Sequence, residues 1–104
     1  MPNSMDSFKQ IDCQQARALI EGHKAILVDI RDEASYNEAH IQGAIQLNDQ
    51  TMGEFLVHAD RSKPLICYCY HGFSSQSAAG FLKTQGFEEV YSLIGGFEEW
   101  RKND

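Results

Sequence analysis

Residues 66–81 read ICYCYHGFSSQSAAGF, and this stretch decides the fold. An apolar run of strand length, residues 65–68, ends at Cys69. A short loop with one glycine, Gly72, comes next, followed by serines and a small-residue segment expected to be helical over 75–85. A strand, a tight loop and a helix in that order form one half of a βαβ unit. In open α/β sheets, functional groups sit beyond the carboxyl ends of such strands.

The same alternation extends in both directions. Upstream, residues 25–30 (AILVDI) are almost wholly apolar, as a strand buried on both faces requires. Residues 8–11 and 44–47 predict two shorter strands, and 89–92 a last one. Helices are expected over 12–22, 33–39, 51–58 and 97–102. The first has Asp12 as N-cap, Gln15 in the capping-box position and Gly22 as its stop. Its apolar face is Ala16, Leu19 and Ile20, and that of 51–58 is Met52, Phe55 and Leu56. The helix over 75–85 is expected to turn Ala78, Phe81 and Leu82 inward and to stop at Gly86. Strand–helix alternation with short connections implies a mostly parallel sheet of about five strands with helices on both faces.

The 104 residues suffice for one domain, assigned to 6–104 with a short tail at 1–5. At 42% hydrophobic and 23% charged the composition is that of a globular chain. No apolar run approaches the roughly 20 residues of a membrane span. The first ten residues lack the basic and apolar regions of a secretory signal. With 15 acidic and 9 basic residues, a net charge of −6 and no basic stripe, nucleic acid and anionic membranes are not expected partners. The cysteines are three, Cys13, Cys67 and Cys69; an odd count without an export signal points to a reducing cytoplasm rather than a disulfide framework.

Three effects converge on Cys69. The helix that follows offers unpaired N–H groups and a positive dipole end. Gly72 permits a turn in which successive amides face inward and hold an anion. Ser74, Ser75 and Ser77 add small donors. Each favours thiolate over thiol, so the Cys69 pKa is expected to fall. Cys67, His71 and Cys69 are three soft ligands in five residues, but Cys67 lies within the strand run and reads as a small hydrophobe. No metal is expected. Asp29, Arg31 and Asp32 read as an ion-pair network at a strand end, His40 as a hydrogen-bonding loop residue, and Phe97 and Trp100 as packing.

Four segments carry a resemblance: LVDIRD at 27–32, EAHIQGA at 38–44, ICYCYHGFSS at 66–75 and YSLIGGFEEW at 91–100. Together and in this order they resemble the rhodanese (thiosulfate sulfurtransferase) family, in particular its single-domain bacterial members. The resemblance implies a rhodanese-like α/β fold and a catalytic Cys69. This residue would take the outer sulfur of thiosulfate as a persulfide and pass it to cyanide, a thiol or a thioredoxin-like protein, without cofactor. Tyr70, His71, Gly72, Phe73, Ser74 and Ser75 would form the loop that stabilises the persulfide. Ala39 and Gln42 replace a glycine and a proline common in the family's middle motif. Many thiosulfate-specialised members carry Arg or Lys just after the cysteine, where this chain has Tyr70 and His71. Neutral donors alone are therefore expected at the loop, with weak binding of thiosulfate. A relay that accepts sulfur from a protein partner uses the same chemistry. Related phosphatases have a loop one residue longer that ends in arginine, and this chain has serine there. A non-catalytic binding module of the same fold usually lacks the cysteine.

Overall fold

The computed structural model describes residues 8–23 and 25–102; the tail at 1–5 lies outside them. Among the described residues five strands alternate with five helices: β1 (Lys9–Ile11), α1 (Cys13–His23), β2 (Ile26–Asp29), α2 (Glu33–Glu38), β3 (Ile45–Gln46), α3 (Met52–His58), β4 (Leu65–Tyr68), α4 (Ser74–Thr84), β5 (Val90–Leu93) and α5 (Gly96–Lys102). They form one sheet in the order β1-β5-β4-β2-β3, and all of its pairings are parallel. The expected mostly parallel sheet is thus wholly parallel. Among the described residues no helix is long and apolar enough to cross a membrane.

Alternation along β4 sorts the core into two layers, because successive side chains of a strand point to opposite faces. Ile66 and Tyr68 pack with Cys13 and Ala16 of α1 and with Phe97 and Trp100 of α5. Leu65 and Cys67 pack on the other side with Phe55 of α3 and Ala79 and Leu82 of α4. All four β4 residues are fully buried, as expected of a central parallel strand covered on both faces.

The capping box of α1 forms as the sequence predicts: the Gln15 amide donates to Asp12 Oδ1 at 2.8 Å and the Asp12 amide to Gln15 Oε1 at 3.2 Å. Gly22 does not stop that helix, which runs on through His23. Glycine in a helix costs only about 1 kcal/mol relative to alanine, which tertiary packing readily outweighs. In α4 the inward residues are Ser75, Ala79 and Leu82, whereas Phe81 is 45% exposed. The drawing of Ser75 towards Cys69, described below, fixes the rotation of the helix, and positions four and seven residues on then face the sheet. Gly86, with φ +100°, follows the helix as expected. There the Gly86 amide donates to the Lys83 carbonyl at 3.3 Å.

Candidate active site

β4 is the central strand, so the loop after it is bordered by the ends of β2 and β5. Cys69 is the first residue past β4 and is 5% exposed. Its Sγ accepts the backbone N–H of Gly72 at 3.1 Å and of Ser75 at 3.2 Å. The Ser75 hydroxyl lies 3.4 Å from the same sulfur. Phe73, at the cap of α4, supplies no side-chain cap. The sulfur takes that role for one of the amides a helix start leaves unpaired.

Behind Ser75 stands a second buried hydroxyl. Ser75 Oγ and Ser92 Oγ are 2.8 Å apart, and both residues are fully buried. With a thiolate, Ser92 donates to Ser75 and Ser75 donates to sulfur, so each hydroxyl proton fills one bond of the chain. Burial pushes the Cys69 thiol pKa up, but the Ser75 hydroxyl and amide and the Gly72 and His71 amides outweigh it, leaving the pKa below its ordinary value of 9.0. Cys67 shows burial without those donors: its thiol is pushed up to about 12, with a further rise from Cys69. It packs as a small apolar residue, as the sequence suggested.

Gly72 adopts φ +96°, and a Cβ there would lie 2.8 Å from the Gly95 amide nitrogen. Its amide can therefore face the sulfur only while the residue is glycine. Gln76 Nε2 donates to the Gly72 carbonyl at 2.9 Å and ties the loop to α4. On the other side, α5 holds the loop: the Phe97 amide donates to the Cys69 carbonyl at 2.8 Å and the Glu98 amide to that of Tyr70 at 3.0 Å.

Cys69 opens into a cavity of about 560 Å³ that it shares with Tyr70 and Ser74 of the loop, and with Arg31, Phe97 and Arg101 from outside it. Of the loop residues singled out in the sequence, the amides of His71, Gly72 and Ser75 and the hydroxyl of Ser75 reach the sulfur. Tyr70 stacks edge-on with His71 at 4.5 Å and is 41% exposed. Phe73 is 78% exposed and does not line the cavity. Ser77 is exposed and makes none of these contacts.

Of the expected Asp29, Arg31 and Asp32 network, the Asp29–Arg31 ion pair forms. Arg31 Nη2 lies 2.7 Å from Asp29 Oδ2, and the Tyr68 hydroxyl donates to the same oxygen at 2.6 Å. Burial works against the Arg31 charge, and the Asp29 hydrogen bonds more than restore it, so the pKa is raised. Asp32 stays out of the pair and caps α2 through the Ser35 amide at 3.1 Å. His40 Nδ1 lies 2.7 Å from the Tyr36 carbonyl oxygen and its ring stacks on Tyr36 at 3.8 Å, which is the loop-fixing role read from the sequence. Ser92 and Arg101 were not singled out in the sequence. Neither lies near Cys69 in the chain, and only the β4–β5 pairing and the return of α5 bring them to it.

The rhodanese-like domain profile matches residues 12–103. A thiosulfate sulfurtransferase GlpE from Ectopseudomonas mendocina is 53% identical over 97 residues, which cover 93% of this chain and 88% of that one. A thiosulfate sulfurtransferase GlpE from Vibrio cholerae is 49% identical over 98 residues, covering 94% and 92%. Among solved structures, a rhodanese-like domain from Anabaena sp. superposes with a TM-score of 0.80 at 25% identity, covering 90% of this chain and 74% of that one. With the parallel sheet, the cysteine at the end of its central strand and a profile that spans nearly the whole chain, this protein belongs to the rhodanese-like domain family.

Proposed function

We propose that the protein is a thiosulfate sulfurtransferase whose single domain, residues 6–104, carries the sulfur on Cys69. The observation that carries this reading is the set of donors on one sulfur: two backbone amides at 3.1 and 3.2 Å and a buried hydroxyl at 3.4 Å. Such donors stabilise negative charge where it forms without reorganising during the reaction. The Cys69 thiolate attacks the sulfane sulfur of thiosulfate. A new S–S bond forms as the old one breaks, and sulfite departs with the bonding pair. The charge then rests on the terminal sulfur of Cys69–S–S⁻, within the loop of Tyr70, His71, Gly72, Phe73, Ser74 and Ser75. Cyanide or a thiolate attacks that outer sulfur and Cys69 leaves again as thiolate. The first step is charge-balanced as three negative charges on each side. Electrons balance through two displacements, so the cycle calls for neither metal nor organic cofactor. This is covalent catalysis with ping-pong kinetics.

The exposure of Phe73 and Tyr70 at the loop favours a second acceptor class, the thiol of a protein such as a thioredoxin-like one. The three cysteines are all free, and a persulfide carrier needs reduced thiols, which supports a cytoplasmic setting. The test is intact mass after incubation with thiosulfate. One added sulfur on Cys69, removed by cyanide, is the expected result. Sulfur mapped to Cys13 or Cys67, or turnover by Cys69→Ser, overturns the reading.

A further inference from the structure

Four charged side chains line the cavity over Cys69: Arg31, Arg101, Asp32 and Glu38. The two guanidinium groups are held very differently. Arg31 is 6% exposed in its side chain, and its Nε and Nη2 face the Asp29 carboxylate at 2.7 to 3.2 Å. Nη2 also donates to the Ala39 carbonyl at 2.6 Å. To turn Arg31 towards a substrate would leave the fully buried Asp29 carboxylate uncompensated, which is strongly unfavourable. Arg101 is 54% exposed in its side chain. Its Nη2 has contacts at 3.4 Å to the Glu98 carboxylate and the Tyr70 hydroxyl, both at the long limit of hydrogen-bond geometry. The backbone beneath it is nevertheless fixed, because α5 is bonded to the carbonyls of Cys69 and Tyr70.

A guanidinium on a fixed helix, loosely held at the wall of the cavity that contains the nucleophile, is suited to an anion. We propose that Arg101 is the specificity residue for the anionic sulfur donor, binding the sulfonate oxygens of thiosulfate while the sulfane sulfur faces Cys69 Sγ. This rests on the sulfurtransferase reading. The planar fork of arginine matches two oxygens of a tetrahedral oxyanion, and a charge-assisted bond is about twice as strong as a neutral one. The last helix thus supplies the cation that Tyr70 and His71 do not. Without it, Asp32 and Glu38 face the substrate opposed only by the Arg31–Asp29 pair, in a chain of net charge −6. The sulfonate is already anionic in bound thiosulfate and gains the bonding pair as sulfite departs, so Arg101 binds the ground state and stabilises the transition state further. Its loss therefore appears in KM and also in the sulfur-loading step.

The experiment is steady-state kinetics of the full chain with thiosulfate and cyanide, on wild type, Arg101→Gln, Arg101→Lys and Glu98→Gln, with thermal unfolding to show that each is folded. Arg101→Gln should raise KM about tenfold, the scale of one lost charge-assisted bond, and slow single-turnover sulfur loading as well. Arg101→Lys should recover part of the loss, and Glu98→Gln should lower KM by releasing the guanidinium. A monoanionic organic thiosulfonate should show a smaller KM penalty in Arg101→Gln than thiosulfate does. Wild type that gains no sulfur from saturating thiosulfate, by intact mass, defeats the sulfurtransferase reading on which the proposal rests. Wild type that gains sulfur while folded Arg101→Gln keeps its KM within about twofold overturns the role of Arg101 alone.

Discussion

Ser75 makes two different contacts with one sulfur, through its amide at 3.2 Å and its hydroxyl at 3.4 Å. Replacing it with alanine removes the hydroxyl and keeps the amide. The Ser75 hydroxyl is one of the donors that hold the Cys69 pKa down, so Ser75→Ala should raise that pKa. Alkylation rate against pH measures it; an unchanged inflection would mean the amides alone hold the thiolate. Ser92→Ala should shift the same inflection less and in the same direction, since it acts only by polarising Ser75. Cys67→Ala addresses the other thiol. It should leave sulfur loading intact and cost about 1–2 kcal/mol of stability in denaturant unfolding, the scale of a small buried truncation. Loss of loading in a folded Cys67→Ala protein would show that this sulfur takes part in the chemistry. Cys69, Gly72 and Ser75 were legible in the sequence because their contacts lie within six residues of one another. Ser92 was not, because a strand residue reveals its partner only once the register is set. Cys67 pairs with Ser92 in that register, which places the Ser92 hydroxyl beside the start of α4.

At the scale of elements, most boundaries lie within a residue or two of those the sequence implied, since apolar runs, caps and glycines mark them locally. The face of α4 was misjudged because apolar periodicity placed Phe81 inside, whereas the bond from Ser75 to the sulfur sets the rotation. The role of α5 was likewise hidden: its Phe97 and Trp100 read only as packing. Gly96 has φ +61°, and a Cβ there would lie 2.5 Å from the Cys69 carbonyl oxygen and 2.6 Å from that of Tyr70. Only glycine lets the helix approach the loop so closely. Gly96→Ala should therefore lose activity and stability together, the backbone strain alone costing about 1–2 kcal/mol. Thermal unfolding and cyanide-coupled turnover report the two losses. A variant with wild-type melting and turnover would show that the seating of α5 on the loop is dispensable.

Across the whole molecule, titration of the thiols and phenols gives stability a defined pH profile. Cys69 has a lowered pKa, so its contribution is fully present above the ordinary value of 9.0 and is lost as pH falls through its folded pKa. Cys67, raised by burial to about 12, acts in the opposite sense, as do Cys13, Tyr68 and Tyr91, all raised with burial as the largest cause. Their contributions are fully present below the unfolded pKa and decline as pH rises from about 9 towards 12. Denaturant midpoints should accordingly fall above about pH 9, and Cys67→Ala should flatten that fall; a midpoint constant to pH 11 would contradict it. The parallel sheet has a consequence for how the chain becomes active. Among the described residues β1 pairs only with β5, and the loop that holds Cys69 is braced by α5. Contacts so distant in sequence incur loop-closure entropy before they yield any stabilisation, which slows folding. During synthesis β1 has no partner until β5 has left the ribosome, and the loop around Cys69 has no brace until α5 follows. A chain synthesised only as far as β5 therefore has its cysteine without its brace, and the activated thiolate is completed only when α5 docks.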